Sequence, residues 1–87
     1  MVRVWIPALL REITQGVSVL DLEGRTVREL IEQIDNIYPG FRERIIKDDK
    51  LIADISVVID GAVSYRGLSQ MVRDAEEIHF LPVLAGG

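Results

Sequence analysis

Thr26-Val27-Arg28-Glu29-Leu30-Ile31-Glu32-Gln33-Ile34-Asp35-Asn36-Ile37-Tyr38-Pro39-Gly40 is the clearest helical stretch in this chain of 87 residues. Val27, Leu30, Ile31, Ile34 and Tyr38 recur at helical spacing, which gives one apolar stripe and one wet side. Thr26 followed three residues later by Glu29 is a capping box, so the helix begins there. Arg25 with Glu29, and Arg28 with Glu32, add i,i+4 ion pairs on the wet side. Pro39-Gly40 stops the helix abruptly. Beyond it, Phe41 to Ile46 reads as one further turn with Phe41 and Ile45 facing inward, and Lys47 to Lys50 as a polar loop.

Strands flank the helix on both sides. Val2, Val4 and Ile6 alternate with Arg3 and Trp5, with Pro7 closing the strand. Val17 to Leu22 alternates again after Gly16, so the two pair as a hairpin across a loop holding Arg11, Glu12 and Thr14. After the helix, Ile55 to Ile59 is a third strand, and Asp60-Gly61 is a strong hairpin signal leading into a short fourth strand, Ala62 to Tyr65. Gly67 to Asp74 reads as a loop with a helical turn around Leu68 to Met71, and the fifth strand runs from Glu77 to Val83. One helix cannot cover both faces of a sheet, so one face stays open. The first and last strands are both apolar and are expected side by side at the centre. The result is an α+β fold: a mixed five-stranded sheet wrapped around one main helix, the β-grasp.

Composition narrows the function. A chain this short buries about 60–65% of its unfolded surface, enough for one core and no second module. The formal net charge of -4 argues against nucleic acid, whose binding depends on clustered Lys and Arg. Arg42, Arg44 and Lys47 stand among Glu43, Asp48 and Asp49, a solvated face rather than a phosphate patch. With no cysteine there is no disulfide, thiolate nucleophile or Cys metal site, which suits the cytoplasm. No apolar run is long enough to span a membrane and no signal peptide opens the chain. The expected partner is therefore a protein, one with a basic docking surface.

The last strand delivers Leu84-Ala85-Gly86-Gly87. Two terminal glycines have no Cβ, so they can lie extended in a channel too narrow for any other residue, with the carboxylate open to attack. The Gly87 carboxylate is thus the expected working group, with residues 1–83 as the domain and 84–87 as a flexible tail. No nucleophile–base pair or metal-ligand cluster competes with it in the sequence, so no catalytic residue and no bound metal are assigned. Strand parity turns Val2, Val4, Ile6, Val57, Ile59, Ile78 and Phe80 toward the helix. The opposite face then carries Trp5, Val58, His79, Leu81 and Val83, an apolar patch of the kind that marks partner sites. Trp5 is its expected anchor. A covering loop or a homodimer contact is the competing reading of that face.

Layout and tail together resemble the sulfur-carrier branch of the ubiquitin-like superfamily, the MoaD and ThiS families. Four stretches carry the resemblance across the chain: Val4 to Arg11, Thr26 to Ile31, Asp60-Gly61, and Leu81 to Gly87, the last being the specific one. Tyr38-Pro39-Gly40 and the Ile-Pro-x-x-Leu-Arg start resemble carriers serving cysteine biosynthesis and also fit small subunits of molybdopterin synthase. Two departures are visible: Asp60-Gly61 where the family often has Asn-Gly, and Asp74-Ala75-Glu76 where it often has Asp-Gly-Asp.

The resemblance implies a carrier protein, not an enzyme, with no bound cofactor. An E1-like enzyme would adenylate Gly87 with ATP and magnesium, and sulfur would displace AMP to leave a thiocarboxylate. A sulfur-accepting enzyme, a cysteine synthase or the large subunit of molybdopterin synthase, would then take the sulfur. The alternatives are a ubiquitin-like modifier joined to lysines through Gly87, and a pure binding module with an idle tail.

Overall fold

The computed structural model describes residues 1–72, 75 and 77–83. The expected tail, Leu84, Ala85, Gly86 and Gly87, lies outside the described residues, as do Asp74 and Glu76 of the turn before the last strand. The elements run β1 (Val2–Trp5), β2 (Val19–Leu22), α1 (Val27–Ile37), α2 (Phe41–Ile45), β3 (Ile46–Lys47), β4 (Lys50–Leu51), β5 (Ile55–Ile59), β6 (Ala62–Ser64) and β7 (Glu77–Pro82), with short 3-10 turns at Ala8–Leu10 and Gly67–Ser69.

The main sheet has the order β2-β1-β7-β5-β6. Its one parallel pairing is between β1 and β7, Trp5 opposite His79, while β1–β2, β5–β6 and β5–β7 are antiparallel. The first and last strands are therefore side by side inside the sheet, and the mixed β-grasp follows from that pairing. Val4, Ile6, Ile78, Phe80 and Val57 meet Val27, Leu30, Ile31 and Ile34 of α1 in the core, all at most 2% exposed. Phe41 and Ile45 complete it from α2, fully buried as their inward spacing implies.

The helix starts as its sequence requires. Thr26 Oγ1 accepts the Glu29 N–H at 3.2 Å, and the Glu29 carboxylate lies 3.4 Å from the same hydroxyl. At the other end Gly40 takes φ 102, which only a residue without Cβ adopts freely, and Asp35 Oδ1 accepts from the Gly40 and Arg42 N–H groups.

Three readings need correction. Lys47–Lys50 is more than a polar loop: β3 and β4 pair and close a two-residue hairpin around Asp48 (φ 53) and Asp49 (φ 61). Type I′ turns need positive φ at both central residues. Aspartate tolerates that conformation, and Arg28 fixes Asp49 with a 2.9 Å ion pair. Second, the loop between β1 and β2 is a packed plug. Leu10 is fully buried in it, and Thr14 is the one buried polar residue among those described, its hydroxyl donating to the Val17 carbonyl at 2.7 Å. Third, β2 begins at Val19 rather than Val17, and β6 stops at Ser64, leaving Tyr65 92% exposed.

Candidate functional site

Five strands in register place side chains of one parity in rows across the open face of the sheet. Val19, Trp5, His79, Val58 and Val63 are successive partners across β2-β1-β7-β5-β6 and form one such row. Trp5 and His79 are its centre: their rings stack with centroids 5.2 Å apart and planes 6° from parallel. Both are half-buried, as is Val58, while Val63 is 50% exposed. The Trp5 indole N–H is sealed from solvent and has no acceptor among the described residues. Trp5 therefore presents ring surface, not a free donor.

Along β7 the same parity continues from His79 to Leu81, and just beyond the strand to Val83, 43% and 50% exposed. Leu81 stands opposite Ser56 of β5, and Val83 donates its N–H to the Asp54 carbonyl at 2.8 Å, so the chain is held through the last residue before the tail sequence. Structure thus gathers all five expected docking residues, Trp5, Val58, His79, Leu81 and Val83, on one face. Val19 and Val63 extend it. Neither was marked by the sequence pattern alone, because finding them needs the cross-strand register rather than the parity of a single strand.

The end of the face farthest from the tail is charged. Arg3 sits opposite Asp21 and Glu77, and its Nε donates to Asp21 Oδ1 at 3.1 Å. That hydrogen bond, and next the charge of Asp21, raise the Arg3 guanidinium above its ordinary pKa. Glu77 is pinned in turn by Asp60, which accepts the Glu77 N–H at 2.9 Å. Among the described residues this end carries the carboxylates of Asp21, Glu77 and Asp60 against the Arg3 guanidinium and the Met1 ammonium. His79 Nε2 lies 3.6 Å from Glu77 Oε2, at the border between the charged and apolar rows. The open face is graded, acidic where β7 begins and apolar where it ends. Among the described residues no cluster of His, Cys, Asp and Glu is arranged to hold a metal, and no helix is long and apolar enough to cross a membrane.

Comparison with known proteins gives this geometry a family. The model of the ThiS family matches residues 4–87. A protein of Archaeoglobus fulgidus provisionally named a sulfur carrier is 36% identical over 89 residues, covering 99% of this chain and 98% of its own. A chain in the crystal structure of the Amycolatopsis orientalis BexX/CysO complex superposes with a TM-score of 0.88 at 32% identity, each chain covered in full. The solution structure of small archaeal modifier protein 1 from Methanosarcina acetivorans gives a TM-score of 0.76 at 28% identity, covering 99% of this chain and 95% of that one. The chain belongs to the ThiS family of ubiquitin-like sulfur carriers.

Proposed function

We propose that the Gly87 carboxylate is the sulfur-bearing group, with residues 1–83 as its scaffold and Leu84 to Gly87 as the tail that enters partner active sites. A carboxylate resists nucleophiles because it is negatively charged and has no leaving group. An E1-like enzyme removes that obstacle: a Gly87 oxygen attacks the α-phosphorus of magnesium-bound ATP, pyrophosphate leaves, and an acyl adenylate forms. A sulfur nucleophile then attacks the Gly87 carbonyl, AMP departs with the bonding pair, and a thiocarboxylate results. The acceptor enzyme is of the cysteine synthase type or is a molybdopterin synthase large subunit, and the setting is the cytoplasm.

The observation that carries this reading is the anchoring of β7. It is paired on both sides inside the sheet, and Val83 is still hydrogen-bonded one residue before the tail sequence. A rigid strand aims a short segment that has no side chains at its last two positions. Beside it, Leu81 and Val83 offer apolar contact while the acidic far end supplies charge for a basic partner surface. In this reading Trp5, Val58 and His79 make up the middle of the docking face.

The test is incubation with ATP, magnesium, an E1-like enzyme and a sulfide source, followed by intact mass measurement. The expected product is heavier by the exchange of one oxygen for sulfur, and truncation of Gly87 abolishes it. Failure to form the adenylate with any such enzyme would overturn the proposal. Likeness to an archaeal modifier protein favours a second reading, in which the adenylate passes to lysines of target proteins. Branched Gly-Gly remnants on cellular lysines would select that reading over the carrier.

A further inference from the structure

The chain has ten cationic side chains, and only two of them, Lys47 and Lys50, are amines. The rest are arginines, whose guanidinium stays protonated and does not acylate in water. An activated carboxyl group reacts with amines, so the placement of the few amines decides where this protein can acylate itself. Both lysines are exposed and stand opposite one another in the β3–β4 hairpin. They line one surface concavity together with Leu51, Ala53 and Asp54. Asp54 is the residue whose carbonyl holds the Val83 N–H at 2.8 Å, so the root of the tail sits on the rim of the lysine-lined concavity.

Reach favours this pair over the remaining amine. Four extended residues span at most about 14 Å, to which the lysine stem adds its own length. The α-amino group of Met1 is at the other end of the sheet. Arg3 is in register with Glu77, which puts Met1 about eight residues of strand, or about 26 Å, from Val83. A connection of only four residues gives an effective concentration on the order of millimolar, well above that of another copy of the chain in dilute solution.

Resting on the proposed activation of Gly87, we propose that the β3–β4 hairpin is an internal acceptor for the activated C-terminus. The deprotonated ε-amine of Lys47 or Lys50 attacks the Gly87 carbonyl. A C–N bond forms, the C–O bond to AMP breaks, AMP leaves with the bonding pair, and the amine proton passes to solvent. The product is an intramolecular isopeptide, which carries no sulfur. Sulfide-level sulfur is more polarisable and less tightly hydrated than an amine, so a sulfur nucleophile outcompetes the hairpin when present. The hairpin therefore captures the activated carrier only when sulfur supply fails.

A partner-independent test uses the chain with a C-terminal thioester at Gly87, made by thiolysis of an intein fusion and kept folded at mildly alkaline pH. The expected product is one water lighter than the hydrolysed chain and forms at a rate independent of protein concentration. Its tryptic digest contains a branched peptide joining residues 74–87 to Lys47 or Lys50. The Lys47→Arg/Lys50→Arg double variant keeps both charges and yields hydrolysis alone, and added sulfide suppresses the isopeptide in the unaltered chain. Hydrolysis without isopeptide, an amide at Met1, or only cross-linked dimers whose yield rises with concentration would each overturn the proposal. Because no E1-like enzyme takes part, a failed adenylation assay sinks the carrier reading alone and leaves this result standing.

Discussion

Phe80 and Leu81 are neighbours in β7 and fall on opposite faces of one sheet. Phe80 is 1% exposed against the helix and Leu81 is 43% exposed on the open side. The same division runs through β1, where Val4 is fully buried and Trp5 half-buried. Strand geometry alone causes it, since successive side chains point to opposite faces. The covered face answers to packing against α1 and α2, and nearly any change there alters stability. The open face packs against little of its own chain, so an apolar residue there is free to serve an encounter. Stability and the proposed docking are therefore separable by residue parity, and substitutions of adjacent residues can test the separation.

Phe80→Ala is expected to have the largest effect. It empties a fully packed site, and such truncations cost about 3–5 kcal/mol. A domain of this size holds about 5–10 kcal/mol in all, so the variant should unfold at markedly lower urea or temperature. A loss under 1 kcal/mol by chemical denaturation would show that the helix-facing side is not the core of this sheet.

Much of this division was legible in the sequence because it rests on short-range periodicity. The stripe Val27, Leu30, Ile31, Ile34 and the Thr26/Glu29 cap specify α1 by local chemistry, and the alternation in β1 and β7 specifies the faces. The two tight hairpins show where legibility ended. Asp60-Gly61 announces itself because glycine supplies positive φ, here 87°, at no steric cost. Asp48-Asp49 adopts the same kind of turn without glycine, helped by an ion pair to Arg28 from a distant part of the chain. Nothing local to those residues signals it. Leu10 and Thr14 were hidden for a related reason: their burial depends on a loop folding back onto the core, a tertiary event with no period. The candidate face was readable as to which strand residues share it. Its extension to Val19 and Val63 depends on strand order and register, which only long-range pairing sets.

Trp5 tests the border between the faces. Trp5 is covered in larger part but not fully, and it stacks on His79, so Trp5→Ala should cost about 1–2 kcal/mol, less than a fully buried aromatic. Trp5→Phe should cost less still. It keeps a ring for His79 and deletes an N–H that has no acceptor among the described residues, and such a buried donor is itself a penalty of about 1–3 kcal/mol. Both variants stay folded. Calorimetry against an E1-like enzyme should show the alanine variant weakened by about tenfold, the scale of an aromatic interface residue. Unchanged affinity for Trp5→Ala would remove Trp5 from the docking face.

Leu81→Ser is expected to change stability least, within about 0.5 kcal/mol, because Leu81 is 43% exposed and lies outside the core, and serine occupies the same strand position. Its effect belongs to binding. Leu81 lies between the Trp5–His79 stack and the root of the tail, so a partner that takes the tail must pass over it. Loss of its apolar area should weaken the complex with the activating enzyme by about 1 kcal/mol. Two measurements on one variant then divide the readings of the open face. Stable but weakly binding protein fits a docking surface. A melting temperature lowered as much as in Phe80→Ala means that a loop or a second copy covers the face, and a concentration-dependent melt identifies the copy. No change in either quantity makes this side of the sheet ordinary solvated surface, and recognition would then rest on the tail alone.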